Sequence, residues 1–460
     1  MVFNKKIVRY HYWLVKEFLT KHGKLIAISF FISFLFIIAV ISLSPYLNNL
    51  LSTKKKVVGL IGRYDFNSIP EEVTSLISNG LLYVNEHGEM VPVLATTWEV
   101  RNSGKEYRFH LKKNLIWDNG KKFTAADINY QFRDIKIKAV DENTIDFYLT
   151  KPLPIFPTYL RKPIIRYPIV GIAGLYHVNQ IKTKYGVISE LALEPNKKDL
   201  PSLMYRIYTN ETLLLAAYKK GEINEFTVTK KSLADGFSIW KNTQIERAVN
   251  YSQLMTLFFN HSSRLLKQRE SPDQKEIKGA IISAIDQSKM NELGEVANGP
   301  IQPVSWGYNP NLKKNAYEPE VSEKILRKHF ESSQSAQLSL MTYYEYYDIA
   351  DQIVTELRKV GLAVNLTIVA PDRQNDFDFL LALWKVPMDP DQYYFWHSTQ
   401  TQGNIAGYKN VKVDKLLEDG RNTLLLEERK GIYFDYQRVV QDDPPAAFLY
   451  YPYVYTVKRK

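Results

Sequence analysis

One long uncharged run, then short apolar runs and helical repeats, organise this chain. Residues 25–47 (LIAISFFISFLFIIAVISLSPYL) contain no charged side chain, and no helical period gives the run a polar side. Such a run crosses a hydrocarbon layer of about 30 Å at about 1.5 Å per residue, which predicts a membrane-spanning helix, not an amphipathic one. Beyond it, short apolar and aromatic runs predict strands over 57–61, 203–208, 245–249, 254–260, 338–342, 362–369, 377–384 and 448–457. Period-3.6 patterns predict helices over 277–286, 322–330, 347–360, 413–426 and 427–441. In the third of these helices Ile349, Ile353, Val354, Leu357 and Val360 share a face, and Gly361 stands where a left-handed residue would end it. Helix, glycine and strand recur in succession, the order of α/β units.

The stretch 89–132 carries the densest local signals. Tyr107, Phe109 and Leu111 alternate with Arg108 and His110, as in a half-buried strand. Asp118-Asn119-Gly120 is a turn sequence in which glycine supplies the positive φ. Thr124 is placed to cap a following helix, with Asp127 at its third position and Phe123 and Ile128 as a hydrophobic staple.

Charge changes the picture once it is divided along the chain. The formal charge is +11, but the nine basic residues and one acid before residue 57 account for +8 of it and leave +3 for the rest. The basic balance therefore directs topology and gives no nucleic-acid surface. Lys5, Lys6, Arg9, Lys16, Lys21 and Lys24 precede the apolar run against Glu17 alone, which predicts a cytoplasmic N-terminus and an external bulk. Lys54-Lys55-Lys56 pulls mildly the other way. A cleaved signal peptide is the competing reading, yet the run exceeds the usual span of about 7–15 apolar residues and no A-x-A site follows it. The expected order is a cytoplasmic tail (1–24), an anchor (25–47), a stalk (48–56) and one continuous ectodomain. With no cysteine, disulfides, thiol chemistry and cysteine-ligated metals are excluded.

The motifs of 89–132 closely resemble those of the extracellular solute-binding proteins of peptide and nickel ABC importers. Pro92, Leu94-Ala95 and Thr97-Trp98 match the family's first strand, and Gly104-Lys105, Tyr107, Phe109 and Leu111 its second. Trp117, Gly120-Lys121, Phe123-Thr124-Ala125, Asp127-Ile128, Tyr130 and Phe132 follow in the family's order. The resemblance continues through Gly221-Glu222-Ile223-Asn224, where Asn224 replaces the usual Asp, and through Leu257-Phe258-Phe259-Asn260. It extends to Ala284-Ile285-Asp286, Asn298-Gly299-Pro300-Ile301, Asp376-Phe377-Asp378, Trp384 and Asp389-Pro390-Asp391. It covers roughly 57–455 and implies a two-lobed, α/β, type II periplasmic-binding-protein-like ectodomain behind one transmembrane helix. The implied lobes are 57–255 with 445–460, and 256–444, with a ligand cleft between them. The few residues between Phe132 and Asp141, where longer members insert several dozen, imply a reduced third subdomain.

Catalytic chemistry finds no constellation here. The histidines at 11, 22, 87, 110, 177, 261, 329 and 397 show no metal-pair spacing, and there is no Walker loop, G-x-G-x-x-G or G-x-S-x-G. Gly171-Ile172-Ala173-Gly174 is followed by neither a Lys-Ser/Thr pair nor a helix start, so a phosphate loop is a poor reading. No cofactor, catalytic residue or metal site is expected. Clusters at Tyr343–Tyr347, Tyr393–Trp396 and Tyr450–Tyr453 suit sheet packing, or a cleft wall for peptides of varied side chain. By resemblance the ligand-binding candidates are Trp384, Asp389, Tyr393, Trp396 and, on the other lobe, Tyr64. His397 would suit a nickel-binding relative. In peptide-binding relatives an Asp follows this Trp by three residues and anchors the ligand's ammonium group. Pro387 stands there instead, leaving Asp389 as a possible replacement. The expectation is a monomeric, membrane-anchored receptor delivering oligopeptides to ABC permease subunits. The alternatives are a receptor for a nickel chelate or a sugar, an anchored cell-wall peptide hydrolase, and a sensor.

Overall fold

The structure is a computed structural model, described here for residues 5–51, 55–85, 88–263, 265–267, 269–330, 337–370 and 377–460. Residues 1–4 of the expected tail, 52–54 of the expected stalk, His87 and Asp376 lie outside the described residues. The first element is one helix, Lys5–Leu51, of 47 residues. Within it Tyr12–Ile38 is long and apolar enough to cross a membrane, and none of it is buried against the rest of the protein.

A 12-stranded sheet runs through the ectodomain. Its order is Val364–Ile368, Leu338–Thr342, Phe379–Lys385, Gln253–Phe259, Ala446–Arg459, Glu225–Val228, Lys55–Ile61, Ser202–Tyr208, Val187–Pro195 and Tyr176–Lys184, with Thr243–Val249 and Gly294–Val296 also on the terminal strand. Two helical crossovers set strands in parallel. Ser202–Tyr208 leads through Glu211–Lys220 to Glu225–Val228, and both strands flank Lys55–Ile61 in parallel. Leu338–Thr342 leads through Tyr347–Lys359 to its parallel neighbour Val364–Ile368. That second helix buries Ile353, Val354 and Leu357 and stops before Gly361, whose φ is +91°.

The terminal strand holds the two halves together. Its first part (446–450) pairs with Gln253–Phe259 and packs in the cores of the second half, while its later part (453–459) pairs with Thr243–Val249 and Glu225–Val228. Asn224 shows why the Asp replacement is tolerated: its Oδ1 accepts the Val57 backbone N–H at 3.0 Å, so the acceptor is retained.

A separate four-stranded antiparallel sheet is ordered Ala95–Arg101, Glu106–Leu111, Thr144–Leu149, Ile135–Asp141. Tyr107, Phe109 and Leu111 are buried as the alternation predicts, and the short 132–141 segment supplies the edge strand. One local expectation fails. Asp127 does accept the Thr124 backbone N–H at 2.8 Å, closing the capping box, but only a single 3-10 turn follows. Ile128 is already extended (φ −72°, ψ 113°), so the cap has no helix to propagate. The hairpin Tyr176–Lys184/Val187–Pro195 was not evident from the pattern; Tyr185 and Gly186 form its two-residue turn, both at positive φ.

Candidate functional site

The strand Phe379–Lys385 is buried between Gln253–Phe259 and Leu338–Thr342 and delivers Trp384 near its end. The chain then bends through Pro387 and Asp389-Pro390-Asp391 into the short helix Tyr393–Trp396. This bend is built from carboxylates turned back on their own backbone. Asp389 Oδ1 accepts the Asp391 N–H at 2.9 Å, and Asp391 Oδ1 accepts the Tyr393 N–H at 3.1 Å.

Each carboxylate also has an arginine. Arg429 donates to Asp389 at 3.0 Å and Arg421 lies 2.8 Å from Asp391. The guanidinium of Arg421 sits 4.0 Å from the Tyr393 ring centroid, and that of Arg429 sits 4.8 Å from Trp306. Gly307 backs on Pro390 so closely that a Cβ there would fall 2.8 Å from the proline ring. Gln392 Nε2 donates to Pro300 O at 2.6 Å, and Gln302 Nε2 to Pro387 O at 3.3 Å. The loop around residues 298–307 therefore braces the acidic bend from behind.

The other half of the molecule meets this bend directly. Tyr159, in the turn Phe156–Arg161 beneath the four-stranded sheet, donates its hydroxyl to Asp391 Oδ2 at 3.3 Å. Arg161 lies 3.6 Å from the Met388 sulfur. Gly88 approaches Trp306 closely enough that a Cβ would fall 2.2 Å from the indole. Burial drives the Asp389 carboxyl upward against the pull of Arg429, and burial with the Asp391 charge raises the Tyr159 hydroxyl. Arg421 and Arg429 rise instead, because their carboxylates outweigh the burial that opposes the charge. The seam thus carries two compensated charge pairs and aromatic faces.

The sequence-derived candidates are distributed unevenly around it. Tyr393 and Asp389 stand at the seam. Trp384 is 6% exposed, with edge-on neighbours Phe395 and Trp396, and its indole N–H has no partner among the described residues. Trp396 is 1% exposed and packs on Phe258 and Phe448, inside the core. Tyr64 donates to Ile61 O at 2.8 Å and lies over Gly62, and no described contact joins it to the acidic bend. His397 is buried with both ring nitrogens engaged, Nδ1 by Thr399 at 2.8 Å and Nε2 by Glu418 at 3.3 Å. Gly171 and Gly174 meet Ile77 O at 2.1 Å from a notional Cβ, so that glycine pair serves close packing. Tyr159, Trp306, Arg421 and Arg429 were missed. The one signal for them was two carboxylates in a Pro-bounded bend that would need cationic partners once buried.

The family model for bacterial extracellular solute-binding proteins, family 5 middle, matches residues 89–136 and 133–405. The chain belongs to this family. Among characterised relatives, the oligopeptide-binding protein AppA of Bacillus subtilis is 26% identical over 289 residues, 55% of this chain and 51% of AppA. The present chain thus matches about half the length of that relative. The dipeptide-binding protein of Escherichia coli is 22% identical, over 81% of this chain and 83% of its own length. Among solved structures, NikZ of Campylobacter jejuni in complex with Ni(L-His) superposes with a TM-score of 0.71 at 22% identity, covering 89% of this chain and 95% of NikZ. The fold is the two-lobed, type II periplasmic-binding-protein-like arrangement, and the family is one of bacterial extracellular solute-binding proteins.

Proposed function

We propose that this chain is a membrane-anchored external receptor that captures oligopeptides between its lobes and passes them to the permease of an ABC importer. The observation that carries the reading is the junction at Asp391, where a bend of one lobe receives the Tyr159 hydroxyl of the other. A ligand touching both sides of such a seam favours the closed form by the difference in its contacts with the two states. The proposed lobes are 57–255 with 445–460, and 256–444, with the terminal strand as their shared element. Tyr393, Asp389 and Trp306 offer flat faces and polar atoms at the seam. Trp384 adds an unpaired indole donor from the wall, with Trp396 supporting it from within and Tyr64 contributing from the first lobe. The peptide assignment is supported by the peptide-binding relatives; a nickel chelate is the second reading, supported by the likeness to NikZ.

The helix Lys5–Leu51 is proposed as an uncleaved anchor, with the N-terminus cytoplasmic and the ectodomain a monomer. Native mass spectrometry of the purified ectodomain tests the ligand assignment. A co-purifying peptide supports it, and a nickel chelate or a sugar replaces it. The anchor predicts a mature protein that stays with membranes through a high-salt wash, and a mature N-terminus after Ser44 contradicts it.

A further inference from the structure

The helix Lys5–Leu51 is far longer than a bilayer requires. At about 1.5 Å per residue its length is roughly 70 Å, against about 30 Å of hydrocarbon. The charge-free run begins only at Leu25, so the turns before it need another environment. Those turns are not polar all round. At about 100° per residue, Tyr12, Leu14, Val15, Phe18 and Leu19 fall on one side, and Arg9, Lys16, Thr20, Lys21 and Lys24 on the other. All of the apolar group are at least half exposed in the structure, with nothing from the ectodomain against them. Lys16 Nζ lies 5.1 Å from the Trp13 ring centroid on the basic side, and Phe18 and His22 have ring centroids 5.2 Å apart on the apolar side. Glu17 is the single acid in the segment.

We infer that residues 9–22 form a surface-lying helix that docks on an anionic phospholipid leaflet, with Gly23 as the elbow between this helix and the membrane span. The inference rests on the anchored reading above. A rod continuing straight into water would leave Leu14, Val15, Phe18 and Leu19 solvated, whereas lying in the interface buries them and brings the basic side to the headgroups. Continuity with the apolar span fixes the segment at the membrane surface, and its excess of Lys and Arg matches acidic lipid over neutral lipid. Gly23 has open space around its Cβ position, and glycine is the weakest helix former after proline, so the helix gives most easily there.

The test uses the full chain, which has no native cysteine, reconstituted in phosphatidylcholine vesicles with and without phosphatidylglycerol. Single variants Leu14→Cys, Phe18→Cys, Trp13→Cys and Thr20→Cys carry a nitroxide, and collision with oxygen is compared with collision with a water-soluble relaxant. The expected result is an oxygen preference several-fold higher at 14 and 18 than at 13 and 20, present with phosphatidylglycerol and reduced by the combined Arg9→Glu, Lys21→Glu and Lys24→Glu variant. Equal water access at all four sites overturns the inference, as does lipid access at all four graded only by depth. A contrast unchanged in phosphatidylcholine alone overturns the anionic recognition, and one that appears only with a permease present assigns the face to a protein. Labelled chain absent from floated vesicles overturns the anchor and this inference together.

Discussion

Tyr393 and Trp396 are three residues apart on one short helix, yet they meet different surroundings. Trp396 is enclosed by Trp384, Phe258 and Phe448, with ring centroids 5.4, 5.9 and 5.8 Å away. Tyr393 lies under the Arg421 guanidinium beside Asp391, where the Tyr159 hydroxyl arrives. The interior gains its energy from apolar area, which is the same whether or not a ligand is present. The two charge pairs at the seam join residues of the same bend and helices. The Tyr159 hydrogen bond to Asp391 and the Arg161 contact with Met388 come from 232 and 227 residues earlier, so their energy can respond to closure. Residue type and spacing do not separate these two roles; the direction in which each ring points does.

The sharpest way to break this contrast is to truncate each side. Trp396→Ala should destabilise the ectodomain by about 3–5 kcal/mol, the range for emptying a packed aromatic site. Tyr393→Ala should leave the denaturation midpoint nearly unchanged and weaken ligand binding by roughly 1–3 kcal/mol. Trp384→Ala is expected to do both, given its burial and its unpaired indole N–H. Denaturant unfolding and calorimetry on the same variants separate the effects, and equal losses of stability for Trp396→Ala and Tyr393→Ala would erase the distinction.

A second prediction concerns the charged interior near the start of the terminal strand. Lys278 is 1% exposed and lies 2.5 Å from Asp443 and 3.3 Å from His261 Nε2. Burial, reinforced by the Lys278 charge, lowers the His261 pKa from 6.5 to about 4. A base whose folded pKa is depressed adds no penalty above its unfolded pKa, and the unfolded chain takes up its proton first as the pH falls. Stability should therefore decline from pH 6.5 toward about 4, by up to roughly 3 kcal/mol from this group. Asp443 is held below its ordinary value because Lys278 and Asn410 outweigh its burial, so its contribution is lost only at still lower pH. Urea unfolding across this range should show the slope in the wild type and a flatter one in His261→Gln.

A smaller effect is expected at the crossing itself. Tyr159→Phe removes one hydrogen bond to Asp391 and should cost about 0.5–1.5 kcal/mol in ligand affinity. The midpoint of unfolding should not move, because the ring stays. A change in stability without a change in affinity would make Tyr159 part of the fold and not of closure.

Much of the fold was legible in the sequence because its signals are local or belong to a contiguous signature. The stretch 89–132, the helix before Gly361 and the strands either side of Trp384 all follow from alternation, capping and turn residues. The Thr124 cap was read correctly as a cap and wrongly as the start of a helix, since the extended backbone at Ile128 is imposed from outside the motif. At the site, Asp389-Pro390-Asp391 was visible, but Arg421 and Arg429 stand 30 and 40 residues beyond the carboxylates they meet. Tyr159 comes from 232 residues before its partner, a distance over which no pattern of alternation carries information.

Those pairings give the account its most exposed claim, that Asp389 and Asp391 are already satisfied by Arg429 and Arg421 and do not serve as the anchor for a ligand's ammonium group. Pro387, where that anchor would be expected, can supply neither a charge nor a backbone donor. The decisive measurement is calorimetric titration of the ectodomain with a peptide identified in the purified protein and with its N-acetylated form. The two affinities should agree within about tenfold, or 1.4 kcal/mol. A loss of a hundredfold or more on acetylation, about 2.7 kcal/mol, would show that a free carboxylate holds the ammonium group after all.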